Sequence, residues 1–99
     1  MASDIDSRAV FRRRALAMGL PENVINSMET NGISTMGRYA FSCAGQASST
    51  DEQPLINMLQ TILGAAPSLA VLASARRLHF EAHALSLDDL RYRLEFKQR

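Results

Sequence analysis

The sequence predicts an all-α fold: a compact orthogonal bundle of five or six helices with a long or kinked C-terminal helix. Apolar residues recur at intervals of three and four along most of the chain, which is the periodicity of helices that bury one face. No alternating apolar and polar run, and no hairpin turn, indicates a strand. Because the chain has 99 residues, 46% of them hydrophobic, we expect residues 1–99 to form a single domain around one core.

The first helix is expected from about Asp4 to Met18. Ser3 followed by Asp6 resembles a capping box at its start, and Gly19 is suited to the left-handed backbone that ends a helix.

A pair of short helices is expected next. Pro21 suits the first turn of the second helix, which would end at Asn31 because Gly32 can adopt a positive φ. Ser34 or Thr35 would then cap a third helix that continues to about residue 43. The inward-facing residues of this third helix are expected to be Met36, Tyr39, Ala40 and Cys43.

The fourth helix is predicted to be the most buried element. Thr50 followed by Gln53 forms a capping-box pattern at its start, and Gly64 closes it. Its apolar residues occupy more than one stripe. They are Leu55, Ile56, Met58, Leu59, Ile62 and Leu63.

The C-terminal third of the chain allows two interpretations. A helix opens at Pro67 and Ser68 and either runs through as one helix of about 30 residues or restarts at Ser86, where Asp89 completes a third capping-box pattern. We favour a break or kink. The expected inward residues are Val71, Ala75, Leu78, Ala82 and Leu85, followed in a sixth helix by Leu87, Leu90 and Leu94.

The basic residues fall in two groups, within residues 8–38 and within residues 76–99, and residues 39–75 contain none. A formal net charge of +1 is low for a strongly cationic nucleic-acid binder, although ten of the eleven basic residues are arginine, which suits carboxylate and phosphate contacts. Arg77 with Glu81, and Arg91 with Glu95, have the spacing of stabilising helix pairs. This pairing would leave the N-terminal arginines and the last few at the C-terminus free.

No residue pattern indicates catalysis. His79 and His83 are one turn apart, but no spacing indicates a third zinc ligand, and we interpret them as a structural or surface pair. Cys43 is the single cysteine, so it cannot form an intramolecular disulfide, and we interpret it as a small buried apolar residue. We therefore expect no enzyme, no catalytic residue, no cofactor and no metal.

Neither a signal peptide nor a membrane span is indicated by the sequence. We expect an intracellular protein, cytoplasmic or nuclear, without a membrane partner. The charged ending "EFKQR" carries no clear helix stop, so the domain is expected to be part of a larger protein.

The segment "NGISTMGRYAF", within residues 20–43, resembles the glycine-isoleucine turn of sterile alpha motif domains. That resemblance implies a small helical module that self-associates or binds RNA or protein. The segment is also similar to a helix-hairpin-helix, which has an apolar residue, Gly32 and Ile33 between two short helices. The second resemblance implies backbone amides available to a DNA phosphate.

A longer resemblance covers about residues 10–95. The segments "DEQPLINMLQTILGAAP" and "RRLHFEAHALSLDDLRYRLE" look like an uncharacterised helical domain that recurs in dinoflagellate proteins, some with retroelement-like surroundings. It implies a module within a larger protein and a context linked to nucleic acid.

Two functional hypotheses remain open. The first is a non-enzymatic helical module for protein interaction or self-assembly, which binds through an apolar groove beside the second and third helices. Its expected partner-binding residues are Arg12, Arg13, Arg14, Arg38 and Tyr39. The alternative is a nucleic-acid-binding domain with an arginine-rich surface. Its phosphate contacts would come from Arg12, Arg13, Arg14, Arg38, Arg76 and Arg77.

Overall fold

The computed structural model describes residues 4–42 and 53–97, and it confirms the all-α class and the long C-terminal helix. Within these ranges the chain contains helices and turns but no strand. No helix in the described part is both long and apolar enough to cross a membrane. A 3-10 turn, Asp4–Asp6, precedes helices α1 (Arg8–Ala17), α2 (Glu22–Thr30), α3 (Met36–Ala40), α4 (Gln53–Leu63) and α5 (Leu69–Lys97).

The α1 helix begins later than predicted. Ser7 is its N-cap, and the Ser7 hydroxyl accepts a hydrogen bond from the backbone N–H of Val10 at 3.2 Å. The predicted start at Asp4 is therefore wrong, because the chain first makes a separate 3-10 turn. The proposed cap Ser3 lies outside the described residues. Gly19 has a φ of 94°, as expected of the glycine that ends this helix.

The turn between α2 and α3 follows the prediction closely. Gly32 has a φ of 87°, and the N–H of Ile33 returns to the carbonyl of Met28 at 2.9 Å, which closes the end of α2. The Thr35 hydroxyl accepts from the backbone N–H of Arg38 at 3.1 Å and so caps α3. The helix ends at Ala40, and both Cys43 and the predicted cap Thr50 lie outside the described residues.

The last helix is continuous over 29 residues, so the predicted break at Ser86 is wrong. Ser68 caps its start by accepting from the N–H of Val71 at 3.2 Å. Ser86 lies one turn after Ala82 on the buried face and is only 7% exposed. Its side chain therefore occupies a packing position in an uninterrupted helix, and the capping-box pattern with Asp89 is coincidental.

The core forms where α3 packs against the middle of α5, with α1, α2 and α4 around them. Tyr39 lies at its centre: the ring centroid is 5.9 Å from that of Phe11 and 5.1 Å from that of His79, and the hydroxyl donates to the carbonyl of Ala75 at 2.5 Å. The largest side chains with almost no exposure are Tyr39, Phe11, Ile25, Met28, Met36, Leu59 and Leu78.

The prediction that the fourth helix is the most buried element is wrong. Leu55 and Leu59 of α4 are buried, but its other apolar residues are only half-buried. By contrast, three of the five residues of α3 are buried. The reason is position, because α4 packs on the outside of the α2 region, whereas α3 lies between the 3-10 turn, α1 and α5.

Candidate functional site

Arg12 is held against α2 by carboxylates. Its guanidinium donates to Glu29 at 2.9 Å, to Glu22 at 2.9 Å and to the side-chain oxygen of Asn26 at 3.1 Å. Hydrogen bonding and charge attraction from Glu29, with a smaller effect from Glu22, raise the pKa of Arg12 above its usual value. The charge of this arginine is thus largely balanced within the domain.

Arg14 is held against α5 instead. Its guanidinium donates to the carboxylate of Glu81, and its Nε atom is buried with no acceptor among the described residues. Glu81 was expected to pair with Arg77 one turn earlier on the same helix, but the structure pairs it across helices with Arg14. The expectation that the N-terminal arginines are free is therefore wrong for Arg12 and Arg14.

The arginines that were predicted to form one binding surface point in different directions from α1, α3 and α5. Arg12 points to α2 and Arg14 to α5, while Arg13 between them is exposed to solvent. Arg38, on α3, is exposed and donates to the carbonyl of Gly32 at 3.4 Å. On α5, Arg76 is half-buried and Arg77 is exposed.

Tyr39 cannot contribute to a partner-binding surface. Its side chain is fully buried, and its hydroxyl is already bonded to the backbone of α5. The prediction that placed it among the partner-binding residues is wrong, whereas the prediction of an inward position in the third helix is confirmed.

A groove of about 800 Å³ lies between the α2–α3 turn and α4. Ile33, Met58 and Ile62 supply apolar lining, and the exposed Arg38 also lines the groove. This is the place at which the sequence predicted a groove, although Arg12, Arg13 and Arg14 do not line it.

A second surface, on α5, was not predicted from the sequence. Phe80, Leu87, Leu90 and Leu94 are exposed by 55%, 47%, 54% and 52% along one side of α5. We call these four residues the α5 stripe. The last three were expected to face inward, which is wrong because the buried face of α5 is the one that carries Leu78, Ala82 and Ser86.

The spacing of the α5 stripe could have revealed it. Phe80, His83, Leu87, Leu90 and Leu94 follow one another at intervals of three, four, three and four, which is a heptad pattern. Dividing the helix at Ser86 hid this pattern, since it placed the first two residues and the last three on different helices. Phe41, itself 71% exposed, adds to the same region, with its ring centroid 6.2 Å from that of His83.

The histidine pair is divided between the core and this surface. His79 is 4% exposed and packs on Tyr39. Burial lowers the pKa of His79, a backbone hydrogen bond to Ala40 opposes that effect, and the neighbouring His83 adds slightly to the lowering. Within residues 4–42 and 53–97, no group of three or more histidine, cysteine, aspartate or glutamate side chains is arranged to hold a metal ion.

No family model, no curated protein and no solved structure matches this all-α chain. The resemblances to sterile alpha motif domains, to the helix-hairpin-helix and to the dinoflagellate domain stay predictions.

Proposed function

We propose that this chain is a non-enzymatic helical module that assembles with itself or with a protein partner, and that its contact surface is the α5 stripe. The observation that carries the proposal is the exposure of four large apolar side chains in one row on a single helix. Single exposed apolar residues are common on soluble proteins, but a contiguous row of them is typical of an interaction site.

The spacing of the row indicates what kind of surface would cover it. Side chains at alternating intervals of three and four form the seam of a coiled coil, in which each fits between four residues of a facing helix. The α5 stripe extends over 14 residue steps, about 21 Å at 1.5 Å per residue. A helix of about four turns is therefore the complementary partner.

The arginines favour this surface over the α1 helix. A partner that used Arg12 or Arg14 would have to replace hydrogen bonds that these residues already make to carboxylates. Arg91, in contrast, is exposed beside Leu87 and Leu94 on α5. An arginine next to apolar anchors is a combination enriched at protein interfaces.

The test is the molar mass of the purified chain by light scattering over a range of concentrations. We expect the mass to rise with concentration in the wild type and to stay at that of one chain in Leu90→Ser. Leu16→Ser on α1 is the matched control, since Leu16 is 50% exposed and lies outside the α5 stripe. A wild type that remains monomeric and captures no helical partner, or a Leu90→Ser variant that associates as before, would contradict the proposal.

The nucleic-acid hypothesis gives a different result in the same samples. Binding through phosphates should appear as anisotropy of labelled DNA or RNA that falls steeply with salt, and it should be lost when the exposed Arg13, Arg38 and Arg77 are replaced by alanine. Assembly through apolar side chains should respond little to salt. Salt-sensitive nucleic-acid binding that is unaffected by Leu90→Ser would replace the present proposal with the alternative.

A further inference from the structure

We infer that the groove between the α2–α3 turn and α4 binds an extended peptide segment of a partner protein, and that Arg38 holds one aspartate or glutamate of this segment. The inference goes beyond the proposed function, because no described residue of α5 lines the groove. It comes from the apolar strip inside the groove, from the charge of its lining, and from amide groups that have hydrogen-bonding capacity left.

One face of α4 forms a wall of the groove. Its lining residues recur at intervals of three and four, so they share a face of the helix. They are Pro54, Asn57, Met58, Thr61 and Ile62. Met58 and Ile62 are half-buried against the core, whereas Asn57 and Thr61 are exposed. The wall is therefore apolar at depth and polar at its outer edge, and it contains the apolar stripe of α4 that the core leaves partly uncovered.

Arg38 makes the groove suited to an anionic occupant. It is the one charged side chain among the described residues that line the groove. Its guanidinium makes one long hydrogen bond, 3.4 Å from Nη1 to the carbonyl of Gly32, and no ion pair within the described part of the chain. Arg12 and Arg14 are already paired with carboxylates, so Arg38 can accept a carboxylate without giving up an ion pair.

Two asparagine side chains favour a peptide over other carboxylates. The Nδ2 of Asn31 donates to the carbonyl of Ser27 at 2.8 Å, which leaves its Oδ1 as an acceptor. The Oδ1 of Asn57 accepts from the side chain of Gln53 at 2.8 Å, which leaves its Nδ2 as a donor. A peptide backbone supplies an N–H and a C=O to these groups. An acyl chain would displace water from them without replacing its hydrogen bonds.

The dimensions of the groove set the length of the segment. The lining face of α4 extends from Pro54 to Ile62, eight residue steps or about 12 Å at about 1.5 Å per residue. An extended chain rises about 3.3 Å per residue, so about four residues of the segment contact this face. The flexible thioether of Met58 can adapt to apolar side chains of different shapes. The expected segment is therefore short and apolar, with one acidic residue.

A phage-displayed library of random hexapeptides, selected against the purified chain, tests the chemistry of the segment. We expect the selected peptides to share an aspartate or glutamate among apolar residues. The strongest of them is labelled with fluorescein, and its affinity is measured by anisotropy. Replacing its acidic residue by the matching amide should weaken binding about 5-fold or more, because the charged contact is lost. In Arg38→Gln the acidic peptide and its amide counterpart should bind alike.

A second variant tests the place of binding. Asn57→Asp puts a carboxylate into the lining with almost no change of shape, and repulsion should weaken the acidic peptide about 5-fold or more. Gln60→Glu is the matched control, because Gln60 is an exposed residue of the same helix that does not line the groove. This control adds the same charge to α4 and should bind the peptide like the wild type.

Several results would overturn the inference. They are a library that yields no binder, equal affinity of the wild type for the acidic peptide and its amide counterpart, and equal affinity of Asn57→Asp and the wild type for the acidic peptide. Decanoate is the competitor that tests the peptide backbone, since it has a carboxylate and an apolar chain but no amide group. Displacement of the labelled peptide by decanoate at a lower concentration than by the unlabelled peptide would assign the groove to small amphipathic acids instead.

Failure of this inference can be told from failure of the proposed function. Leu90→Ser should leave peptide binding unchanged, and Asn57→Asp should leave self-association unchanged, because the two substitutions lie on different surfaces. Loss of peptide binding in Leu90→Ser would overturn the assignment of the peptide to the groove. Absence of peptide binding in a chain that associates through the α5 stripe would overturn this inference alone.

Discussion

Leu59 is fully buried in the core cluster, and its truncation tests the packing of α4 on the rest of the bundle. Leu59→Ala is expected to lower the free energy of unfolding by about 2–5 kcal/mol, because it removes buried apolar area and leaves a cavity. Leu69→Ala is the matched control, since Leu69 is 86% exposed and its truncation should change stability by less than about 0.5 kcal/mol. Denaturant unfolding measures both. Equal losses in the two variants would show that α4 does not pack as described.

Gly32 has a φ of 87°, a backbone conformation that a β-branched residue resists strongly. Gly32→Val is expected to destabilise the fold by at least about 1–2 kcal/mol. Gly32→Asn should be tolerated better, because asparagine adopts the left-handed region more readily. Thermal unfolding of the two variants side by side tests the positive φ of Gly32. Equal melting temperatures of the valine and asparagine variants would refute it.

His79 makes stability depend on pH. Its pKa in the folded state lies below the usual 6.5 because burial disfavours the charged ring. The unfolded chain therefore binds a proton more readily, so the stability contributed by neutral His79 is complete above pH 6.5. It is lost as the pH falls from there through the lowered folded-state pKa.

The measurement is the free energy of unfolding at pH 7.5 and at pH 5.5. We expect a decrease at the lower pH that persists in His83→Gln and becomes smaller in His79→Gln. A decrease of equal size in all three proteins would assign the pH dependence to other groups.

Several residue-level predictions from the sequence were correct because they depend on local chemistry alone. The positive φ of Gly32, and a cap at Ser34 or Thr35, follow from a glycine and two hydroxyls between two apolar runs; the structure decides for Thr35. Tyr39 shows the limit of such reasoning. Its helical spacing predicted an inward position, but only its contact with Ala75, 36 residues later, shows that the core satisfies its hydroxyl as well.

At the scale of the element, α5 shows why capping patterns mislead inside a long helix. A serine followed three residues later by an acidic residue marks a helix start only when the backbone before it is not helical. Around Ser86 the preceding turns carry buried residues in register, and tertiary packing keeps the helix continuous. The same kind of pattern hid the true cap of α1, Ser7, because Ser3 and Asp6 also fit the motif.

The sign of the stability change in Ser86→Ala distinguishes a continuous α5 from a separate helix that begins at Ser86. In a continuous helix, Ser86→Ala should stabilise by about 0.5 kcal/mol, since alanine favours helix and the buried Ser86 hydroxyl has no partner among the described residues. If Ser86 instead capped a sixth helix, the same change should destabilise by about 0.5–2 kcal/mol. The midpoint of denaturant unfolding gives the sign. Leu85→Ala serves as the control, because loss of a half-buried side chain should destabilise in either case.

At the scale of the whole molecule, two expectations from the sequence are reversed. Arginines expected on a binding surface make contacts within the fold, and leucines expected in the core lie on the surface. Arg12 and Arg14 join helices to one another through carboxylates, so they act within the fold. Leu87, Leu90 and Leu94 of α5, expected to face inward, are instead exposed to solvent, whereas Leu85 packs against the core as expected. Sequence periodicity identifies which residues share a face, but it does not say which face the rest of the bundle covers.

The central claim is that the α5 stripe is a contact surface, and methyl NMR spectra of the leucine-labelled chain at increasing concentration test it most directly. We predict that the signals of Leu87, Leu90 and Leu94 shift together, while those of the buried Leu59 and of the exposed Leu16 stay in place. Shifts of all leucines alike, or shifts confined to residues outside the α5 stripe, would contradict the claim.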